Sequence, residues 1–469
     1  MRTPVILVAG QYGTDAATNA LQVKAGTVTV AYSLDGHVVV RETTSTTADA
    51  TTLALELAHG CVSCTLRNDL LVLLRRLHRR AGVERIVVQL PDWLEPQPIC
   101  WAIRNVRVRV GPGYIDGPAG RDVTIAAVVT CLDATAWLSQ ALGDDELDDG
   151  RTIAQVVVGQ AESADALVVY APDPTALAVL RRLAPLARIT AGTDRLEQAL
   201  THLDDGARRG RGDDPHAPLL AGQPPLRAEG SVELIEFHAR RPFHPQRLHA
   251  ALDALLDGVI RARGRLWLAN RGQRAIWLES AGGGLHTSAV GKWLAAMTAE
   301  EAARVSAERH AFADLIWDHR YGDRHTSLVI LVCGARPEQI REALSGALLT
   351  DDELRRPNQW AGYPDPFAAY FAGRGGVLGR ATGTTADNDD TRARLRAGNI
   401  RSGDQRRGRG TRSDQKLAAV DCHGFLPHLH SVSASGRPFA GSMPPRTTRV
   451  RDRGCRVQFL ATGTGSEPK

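Results

Sequence analysis

Two cysteines three positions apart form the most reactive group of side chains in the sequence. Cys61 and Cys64 stand directly before a segment with helical periodicity, and the partial positive charge of a helix N-terminus favours thiolates. At this spacing both sulfurs can reach one metal ion, and zinc binds thiolates in tetrahedral sites of four ligands. His59 and Glu56 are the nearest side chains able to supply the other positions. The pair therefore indicates a metal site, with a redox pair or two buried structural thiols as alternatives.

A turn after the first apolar run has the outline of a phosphate-binding loop without its functional groups. Such a loop follows G-x-x-x-x-G-K-[ST], in which backbone amides wrap the phosphates, the lysine neutralises charge and the hydroxyl holds magnesium. Residues 10–18 read G-Q-Y-G-T-D-A-A-T, which puts Asp15, Ala16 and Ala17 at the last three motif positions. One interpretation is a turn without a nucleotide role, where Asp15 caps the helix. The other is weak nucleotide binding through Gly10, Gly13 and Thr18.

The positive charge of the chain belongs to its last part. The whole sequence has 57 Lys and Arg against 52 Asp and Glu. Residues 374–469 hold 18 of the basic and 8 of the acidic side chains, which leaves the rest of the chain mildly acidic. The formal charge of +5 is therefore no argument for a basic body.

Cysteine usage and hydropathy predict a cytoplasmic protein. Seven cysteines spread over 469 residues do not resemble the dense, evenly paired framework of a small secreted protein, so a reducing compartment fits better. The apolar run near the N-terminus is too short for a signal peptide or a membrane span, and no other run approaches eighteen apolar residues.

Strands and helices alternate over the first two hundred residues. Short runs rich in Val and Ile are typical of strands covered on both faces, and they occur at Val5 to Ala9, Thr27 to Ala31, Arg85 to Leu90, Val123 to Cys131 and Ala166 to Tyr170. Alternation of this kind predicts the α/β class, with a doubly wound parallel sheet on the P-loop NTPase plan.

The chain divides into four parts. We expect the P-loop-like domain over residues 1–202 and a linker over 203–231, where Asp, Arg, Gly and Pro cluster. A smaller α+β domain over 232–370 contains a predicted helix at Pro245 to Ala262 and a predicted strand at Arg265 to Ala269. Residues 371–469 lack apolar periodicity and are predicted to form a disordered basic tail.

Several motifs in order resemble the CobW-type zinc-chaperone GTPase family. Residues 60–67, G-C-V-S-C-T-L-R, resemble the family's G-C-x-C-C-T-L-R, and residues 128–134, V-V-T-C-L-D-A, resemble V-V-T-V-V-D-A. A C-terminal series at residues 241–245, 261–267, 291–293 and 322–325 is similar to the family's second domain. The resemblance implies zinc as a cofactor, GTP as a weak ligand, and Asp133 and Asp173 as nucleotide-site residues.

The departures from the family concern nucleotide chemistry. The family's Glu is Gln89 and a following Gly is Asp92, while the guanine-reading N-K-x-D motif is reduced to Tyr170-Ala-Pro-Asp173. Phosphoryl transfer depends on charge stabilisation that Ala16 and Ala17 cannot supply. Nucleotide hydrolysis is therefore not the expected output.

Two functions follow from the resemblance. The eroded phosphate loop, the cysteine pair and residues 93–101 look closest to the actinobacterial branch called ribosome hibernation factor-recruiting GTPase. That branch implies a zinc-responsive regulator that binds the small ribosomal subunit and recruits a hibernation factor. The alternative is a CobW-type metallochaperone that couples GTP binding or hydrolysis to zinc delivery to client proteins.

Weaker features complete the sequence interpretation. The basic side chains of one helix are expected to be a solvated face, with contact to ribosomal RNA as the alternative; they are Arg75, Arg76, Arg79 and Arg80. Three further cysteines are predicted core thiols: Cys100, Cys131 and Cys333. The motif at residues 322–325, G-D-R-H, is predicted to form a structural turn.

Overall fold

The computed structural model describes most of the chain before residue 369. The described residues are 1–36, 38–45, 48–57, 61–203, 207, 209–211, 214–220, 222–368 and 377–378. The predicted disordered tail, residues 371–469, lies outside them except for Val377 and Leu378, which form a short paired strand. Within the described part, no helix is long and apolar enough to cross a bilayer.

The first half of the chain alternates strands and helices, as the apolar runs predict. Its elements are β1 Thr3–Gly10, α1 Thr14–Gln22, β2 Thr27–Asp35, β3 Val38–Ser45, β4 Ala48–Leu55, α2 Val62–His78, β5 Arg85–Gln89, α3 Pro96–Asn105, β6 Arg107–Val108, β7 Gly117–Pro118, β8 Val123–Asp133, α4 Ala134–Leu142, α5 Ile153–Glu162, β9 Ala166–Tyr170, α6 Pro174–Leu183, β10 Arg188–Ala191 and α7 Leu196–Ala199.

Eight of these strands, counted within the described residues, form one sheet in the order β10-β9-β8-β1-β5-β2-β3-β4. The six strands from β10 to β2 run parallel. The central strands are apolar and buried on both faces, as parallel strands between helix layers require. The predicted fold class is confirmed, since a doubly wound parallel sheet carries the first half of the chain.

An antiparallel extension of this sheet was not predicted from the sequence. Strand β3 pairs antiparallel with β2, and β4 pairs antiparallel with β3. Strand β4 ends a few residues before the cysteine motif. The apolar residues of these two strands are interrupted by Thr, Ser, Asp, Arg and Glu, and neither strand has an apolar run as long as those of β1 and β8. This three-stranded arm positions Glu56 and Cys61 at the end of the sheet.

The second half of the chain forms a separate antiparallel sheet with helices on one face. Its order is β11-β15-β12-β13-β14-β16 within the described residues. The elements are β11 Val232–Ala239, α8 Pro245–Ala251, β12 Val259–Leu266, β13 Arg274–Ala281, β14 Gly284–Lys292, α9 Ala299–Ala302, α10 Ala307–Leu315, β15 Thr326–Cys333, α11 Pro337–Ala347, α12 Asp351–Leu354 and β16 Val377–Leu378.

Two element predictions in this half were wrong. The predicted helix from Pro245 to Ala262 ends at Ala251 and a 3-10 turn follows, so Val259 already belongs to β12. The strand predicted from Arg265 to Ala269 is the end of β12 and the turn after it. Arginines interrupt the apolar pattern of β12, and two of them, Arg261 and Arg263, bind Glu162 of α5.

The two sheets share one continuous apolar core. Helices α4, α5 and α6 of the first half pack against β11, β12, β13 and β15 of the second. Buried side chains from both halves form a single cluster, among them Trp137, Val179, Leu234 and Leu331. The opposite face of the second sheet buries its own core under α8 and α11.

Candidate functional site

The cysteine motif forms the start of α2. Cys61 has extended backbone angles and occupies the N-cap, where its Sγ accepts a hydrogen bond from the backbone N–H of Cys64 at 3.2 Å. Thr65 Oγ1 donates to the carbonyl oxygen of Cys61 at 2.9 Å. Both cysteines are half-buried. The sulfur of Cys61 thus lies against the backbone N–H of Cys64 in the first turn of α2.

The other predicted metal ligands are placed differently. Glu56 follows β4 and is exposed, while His59 lies outside the described residues, in the gap 58–60. Within the described ranges, no three His, Cys, Asp or Glu side chains come together in a way that could hold a metal ion. Of the four predicted ligands, the structure therefore describes the cysteine pair as one local unit and Glu56 as a separate exposed side chain.

A buried polar contact attaches α2 to the antiparallel arm. Asp69, two turns after Cys61, accepts hydrogen bonds from Arg41 Nη1 at 2.6 and 2.8 Å and from the hydroxyl of Tyr32 at 2.8 Å. Tyr32 is 4% exposed, and burial, followed by the negative charge of Asp69, raises its pKa well above the ordinary value. We call these three residues the α2 clamp. It joins the helix that follows Cys61 to the strands that precede Glu56.

The turn between β1 and α1 needs both of its glycines for reasons of packing. Gly10 has φ of 130°, and a Cβ atom there would lie 1.9 Å from the carbonyl oxygen of Cys131 on β8. Gly13 is the N-cap of α1 with φ of 77° and ψ of 14°. A Cβ atom on Gly13 would lie 2.3 Å from the ring of Tyr170. These glycines therefore allow close approach of the protein's own atoms.

Tyr170 occupies the side of this turn. Its ring packs on Gly13 and meets Tyr12 edge to face, with ring centroids 5.1 Å apart. The hydroxyl of Tyr170 is inaccessible and has no hydrogen-bond partner among the described residues, and burial raises its pKa above the ordinary value. An aromatic ring thus fills the space beside the loop at the end of β9.

The opposite side of the turn is joined to neighbouring loops by amide side chains. Gln89 Nε2 donates to Asp15 Oδ1 at 2.7 Å and to Thr14 Oγ1 at 3.3 Å. Gln11 Nε2 donates to the carbonyl oxygen of Asp92 at 2.6 Å, and Gln160 Nε2 donates to the same oxygen at 2.6 Å. The loop is held by neutral and acidic groups, where phosphate binding needs positive charge.

Asp15 does not cap α1, so the capping interpretation was wrong. The N-cap is Gly13, and no side chain bonds the first turn there. Asp15 lies within the first turn, where its carboxylate interacts favourably with the helix dipole and is bound by Gln89. Negative charge consequently occupies the end of the helix that would otherwise attract an anion.

Two family descriptions match the chain over most of its described length. The "CobW/HypB/UreG, nucleotide-binding domain" matches residues 29–185, and the "Cobalamin synthesis protein cobW C-terminal domain" matches residues 232–348. A Mycobacterium tuberculosis protein named "Zinc chaperone Rv0106" is 65% identical over 377 residues, which cover 79% of this chain and 94% of that protein. The chain belongs to the CobW family.

A more distant relative and a solved structure are also similar to this chain. The Dictyostelium discoideum "Zinc-regulated GTPase metalloprotein activator 1" is 24% identical over 340 residues, 66% of this chain and 70% of that protein. The crystal structure of Zn(II)-bound YjiA GTPase from E. coli covers 74% of this chain and all of its own, at 14% identity and a TM-score of 0.33. The CobW nucleotide-binding match begins at residue 29, after the altered phosphate loop.

Three residues that the sequence assigns to the nucleotide site are a buried threonine and two aspartates that cap helices. Thr18 is 5% exposed, and its Oγ1 is buried with no partner in the described part of the chain. Asp133 caps α4 by accepting from the N–H of Ala136 at 3.0 Å, and Asp173 caps α6 through the N–H of Ala176 at 2.8 Å. An Asp before a helical segment is a common N-cap, a signal that the sequence already contained.

The sequence predicts that the basic face of α2 is solvated, but the structure shows that it is only partly so. Arg75 is buried, and its Nε donates to Asp122 at 2.7 Å. Arg79 donates to the carbonyl oxygen of Gly113 at 2.7 Å, and its guanidinium stacks 3.9 Å from the ring centre of Tyr114. These two arginines hold the segment between β6 and β7, and the expectation of a solvated face was wrong for Arg75.

The G-D-R-H motif of the second domain forms a buried structural turn, as predicted. Asp323 accepts hydrogen bonds from the N–H groups of Leu294 and Ala295 at 2.8 and 2.9 Å. His325 bonds the carbonyl oxygen of Asp323 through Nδ1 at 2.8 Å and accepts from Arg265 Nε at 3.2 Å through Nε2. Burial, with the Arg265 charge, lowers the pKa of His325 to about 4, so the ring is neutral.

The predicted core thiols are confirmed. Cys100, Cys131 and Cys333 are buried. Burial raises the pKa of Cys131 to about 12 and that of Cys100 still further. Burial limits access to all three thiols, which leaves Cys61 and Cys64 as the more accessible thiols among the described residues.

Proposed function

We propose that this chain binds zinc through Cys61 and Cys64 and delivers it to client proteins without hydrolysing nucleotide. The observation that carries the proposal is the position of both sulfurs at the N-terminus of α2, with the Sγ of Cys61 accepting from the N–H of Cys64. The name of the 65% identical relative supports zinc as the metal. In this proposal residues 1–202 form the domain that carries the metal site, and residues 232–370 form a second domain whose strands pack against α4, α5 and α6.

A zinc site with only two thiolates suits a metal that must leave again. Closed structural zinc sites use four protein ligands, and here the family's middle cysteine is Ser63. We propose Glu56 and His59 as the remaining ligands, both on the segment between β4 and α2. A site that combines two thiolates with a carboxylate and an imidazole from a short connecting segment can pass zinc stepwise to stronger client ligands.

The geometry of the altered phosphate loop supports a function without hydrolysis. Phosphoryl transfer is stabilised by cations around the phosphates, whereas Ala16 and Ala17 are uncharged and Asp15 adds a carboxylate at the helix start. The ring of Tyr170 lies against Gly13, where a bound nucleotide would need room. We propose that GTP binds weakly at most and does not drive zinc transfer.

Recruitment to the ribosome is the second candidate function. A GTPase fold without hydrolytic groups can serve as a docking module, and the loss of those groups at Ala16 and Ala17 favours such a role. In this proposal the protein binds the small ribosomal subunit in response to zinc and brings a hibernation factor to it. Exposed Arg76 on α2 and exposed Arg80, two residues after the end of α2, are available for contact with ribosomal RNA phosphates.

Zinc content and zinc affinity test the main proposal. We expect the native chain to take up zinc in competition with a chromophoric chelator, and the Cys61→Ser, Cys64→Ser double variant to lose at least tenfold in affinity. Ser63→Ala is the matched control, because it alters the position between the two cysteines without removing a thiol. Unchanged zinc affinity in the double variant would exclude this site.

Two further measurements separate the candidate functions. The zinc-loaded chain should restore metal to a zinc-depleted acceptor protein at the same rate with and without GTP. Co-sedimentation with small ribosomal subunits at high and low zinc tests recruitment. GTP turnover that accelerates transfer would contradict the absence of coupling, and zinc-independent sedimentation would contradict the regulatory role.

A further inference from the structure

Among the described residues, strand β4 is the outermost strand of the large sheet and has no strand on its outer side. It pairs with β3 on one side, from Val39 opposite Leu55 to Ser45 opposite Ala48, and is the last strand in the sheet order. Residues 50–54 are all exposed. A strand at an edge presents a row of backbone N–H and C=O groups that can pair with another extended segment.

The two edges of this sheet differ in their protection. The other edge, β10, has only four residues, and the segment after α7 is tied beside it through Arg188, whose guanidinium donates to the carbonyl oxygens of Ala199 and His202 at 3.3 and 2.8 Å. Residues 50–55 of β4 read A-T-T-L-A-L, without the Lys, Pro or inward-pointing charge with which edge strands are commonly blocked. In the part of the chain that the structure describes, the β4 edge is therefore open to strand addition.

The apolar side chains of β4 define one receptive face. Leu55 packs against the core of the first domain, and Leu53 lies two positions earlier, on the same side of the strand. Leu53 is 46% exposed. A further strand beside β4 would place its own side chains next to Leu53 and cover this exposed surface.

Charge around the edge argues against a second copy of the chain as the occupant. In antiparallel pairing of residues 50–55 with the same residues of another copy, the aspartate at position 49 of each copy would lie opposite Glu56 of the other. Like charges opposite each other destabilise a sheet. Glu42, opposite Thr52 on β3, adds negative charge. A six-residue edge spans about 20 Å, which is short for a stable dimer interface.

We propose that the β4 edge binds an extended segment of a partner protein, with about six uncharged β-forming residues between basic side chains. The strand leads directly into Glu56 and Cys61, and the α2 clamp ties the same arm to the cysteine helix. A segment bound at this edge would lie beside the zinc site, so its owner is a zinc-receiving client. This inference rests on the proposed function, but its binding test requires no metal.

Synthetic peptides probe the edge directly in the full-length chain. The test peptide is Lys-Thr-Val-Thr-Leu-Thr-Val-Arg, and matched peptides carry Glu at both ends or Pro at the third and fourth positions of the central run, so that one proline faces β4 in either register. We expect the basic peptide to bind at least tenfold more tightly than the acidic one and to slow amide hydrogen exchange of residues 51–55. The proline peptide should not bind, because it cannot complete the backbone ladder.

Two protein variants complete the test. Leu53→Lys places a positive charge on the edge and should weaken the basic peptide at least tenfold. Leu34→Lys is the control, because Leu34 is equally exposed, at 46%, but lies on the interior strand β2, and it should change affinity less than twofold. Binding of the basic peptide without protection of residues 51–55, equal binding of the proline peptide, or a dimer that Leu53→Lys dissociates would overturn the inference.

Discussion

Replacement of Asp69 by Asn should loosen the helix that carries the cysteine pair. Asp69 accepts three hydrogen bonds from two side chains, Arg41 and Tyr32. Asparagine keeps one acceptor oxygen and presents an amide donor where another acceptor is needed. The negative charge that pairs with Arg41 is lost as well.

The structure sets the size of this effect. Breaking a fully buried ion pair costs about 3–5 kcal/mol, but the side chains of Arg41 and Asp69 retain 16% and 19% exposure, so solvent reduces the loss. We expect about 2–3 kcal/mol. Because about 1.4 kcal/mol corresponds to a factor of ten, the amides of α2 should exchange with solvent roughly 30-fold to 100-fold faster.

Native-state hydrogen exchange is the appropriate assay, because it reports the local opening of α2 in a protein of more than one domain. Asp35→Asn removes the same charge from an exposed position of the same arm and should leave α2 unchanged. Tyr32→Phe should cost about 1–2 kcal/mol, since it removes one hydrogen bond to a charged group. If α2 in Asp69→Asn exchanges less than threefold faster while the fold is intact, the α2 clamp does not hold the helix.

Three further predictions concern packing, burial and pH. Gly13→Ala should lower the free energy of unfolding by about 2–3 kcal/mol, because alanine is strained in the left-handed backbone and its Cβ meets the ring of Tyr170. In a Tyr170→Ala background the same substitution should cost only about 1–2 kcal/mol, the part due to the backbone. Thermal unfolding tests both values. Arg75→Met should cost about 2 kcal/mol because Asp122 loses its partner, whereas Arg76→Met should stay within about 0.5 kcal/mol; comparable losses would contradict the assigned burial. The pKa of His325, about 4, lies below its ordinary value near 6.5, so the unfolded chain takes up a proton first and stability falls as the pH drops from 6.5 to 4. His325→Gln should remove about 3 kcal/mol of that pH dependence. Denaturation at several pH values measures it, and an unchanged slope of unfolding free energy against pH in the variant would refute the assignment.

Some of the site was predictable because its determinants are local. The apolar runs of β1 and β8 and the periodicity of α2 identify a buried parallel sheet and an amphipathic helix by their own residue order. The position of Cys61 before α2 follows from the same periodicity. The absence of lysine and hydroxyl groups at Ala16 and Ala17 is also a property of the sequence alone.

Only the tertiary structure showed which side chains replace the lost nucleotide contacts. The ring of Tyr170 meets Gly13, and Gln89 binds Asp15, across separations in sequence that no local pattern reports. Strands β3 and β4, which mix apolar and polar residues, were missed, and the arginine-rich β12 was misassigned, for a related reason. Their side chains are stabilised by partners such as Asp69 and Glu162, and those partners are set by strand order and register.

The sequence by itself therefore determined the α/β class, the cysteine pair and the absence of lysine and hydroxyl groups from the last two positions of the phosphate-loop motif, since each depends on residue type and short-range spacing. The tertiary structure decided that the phosphate loop is packed by the protein's own side chains, that the α2 clamp secures the cysteine helix, and that β4 lies at an open edge. The physical reason is that hydrogen bonds and ring contacts between distant segments form only after the sheet has brought those segments together.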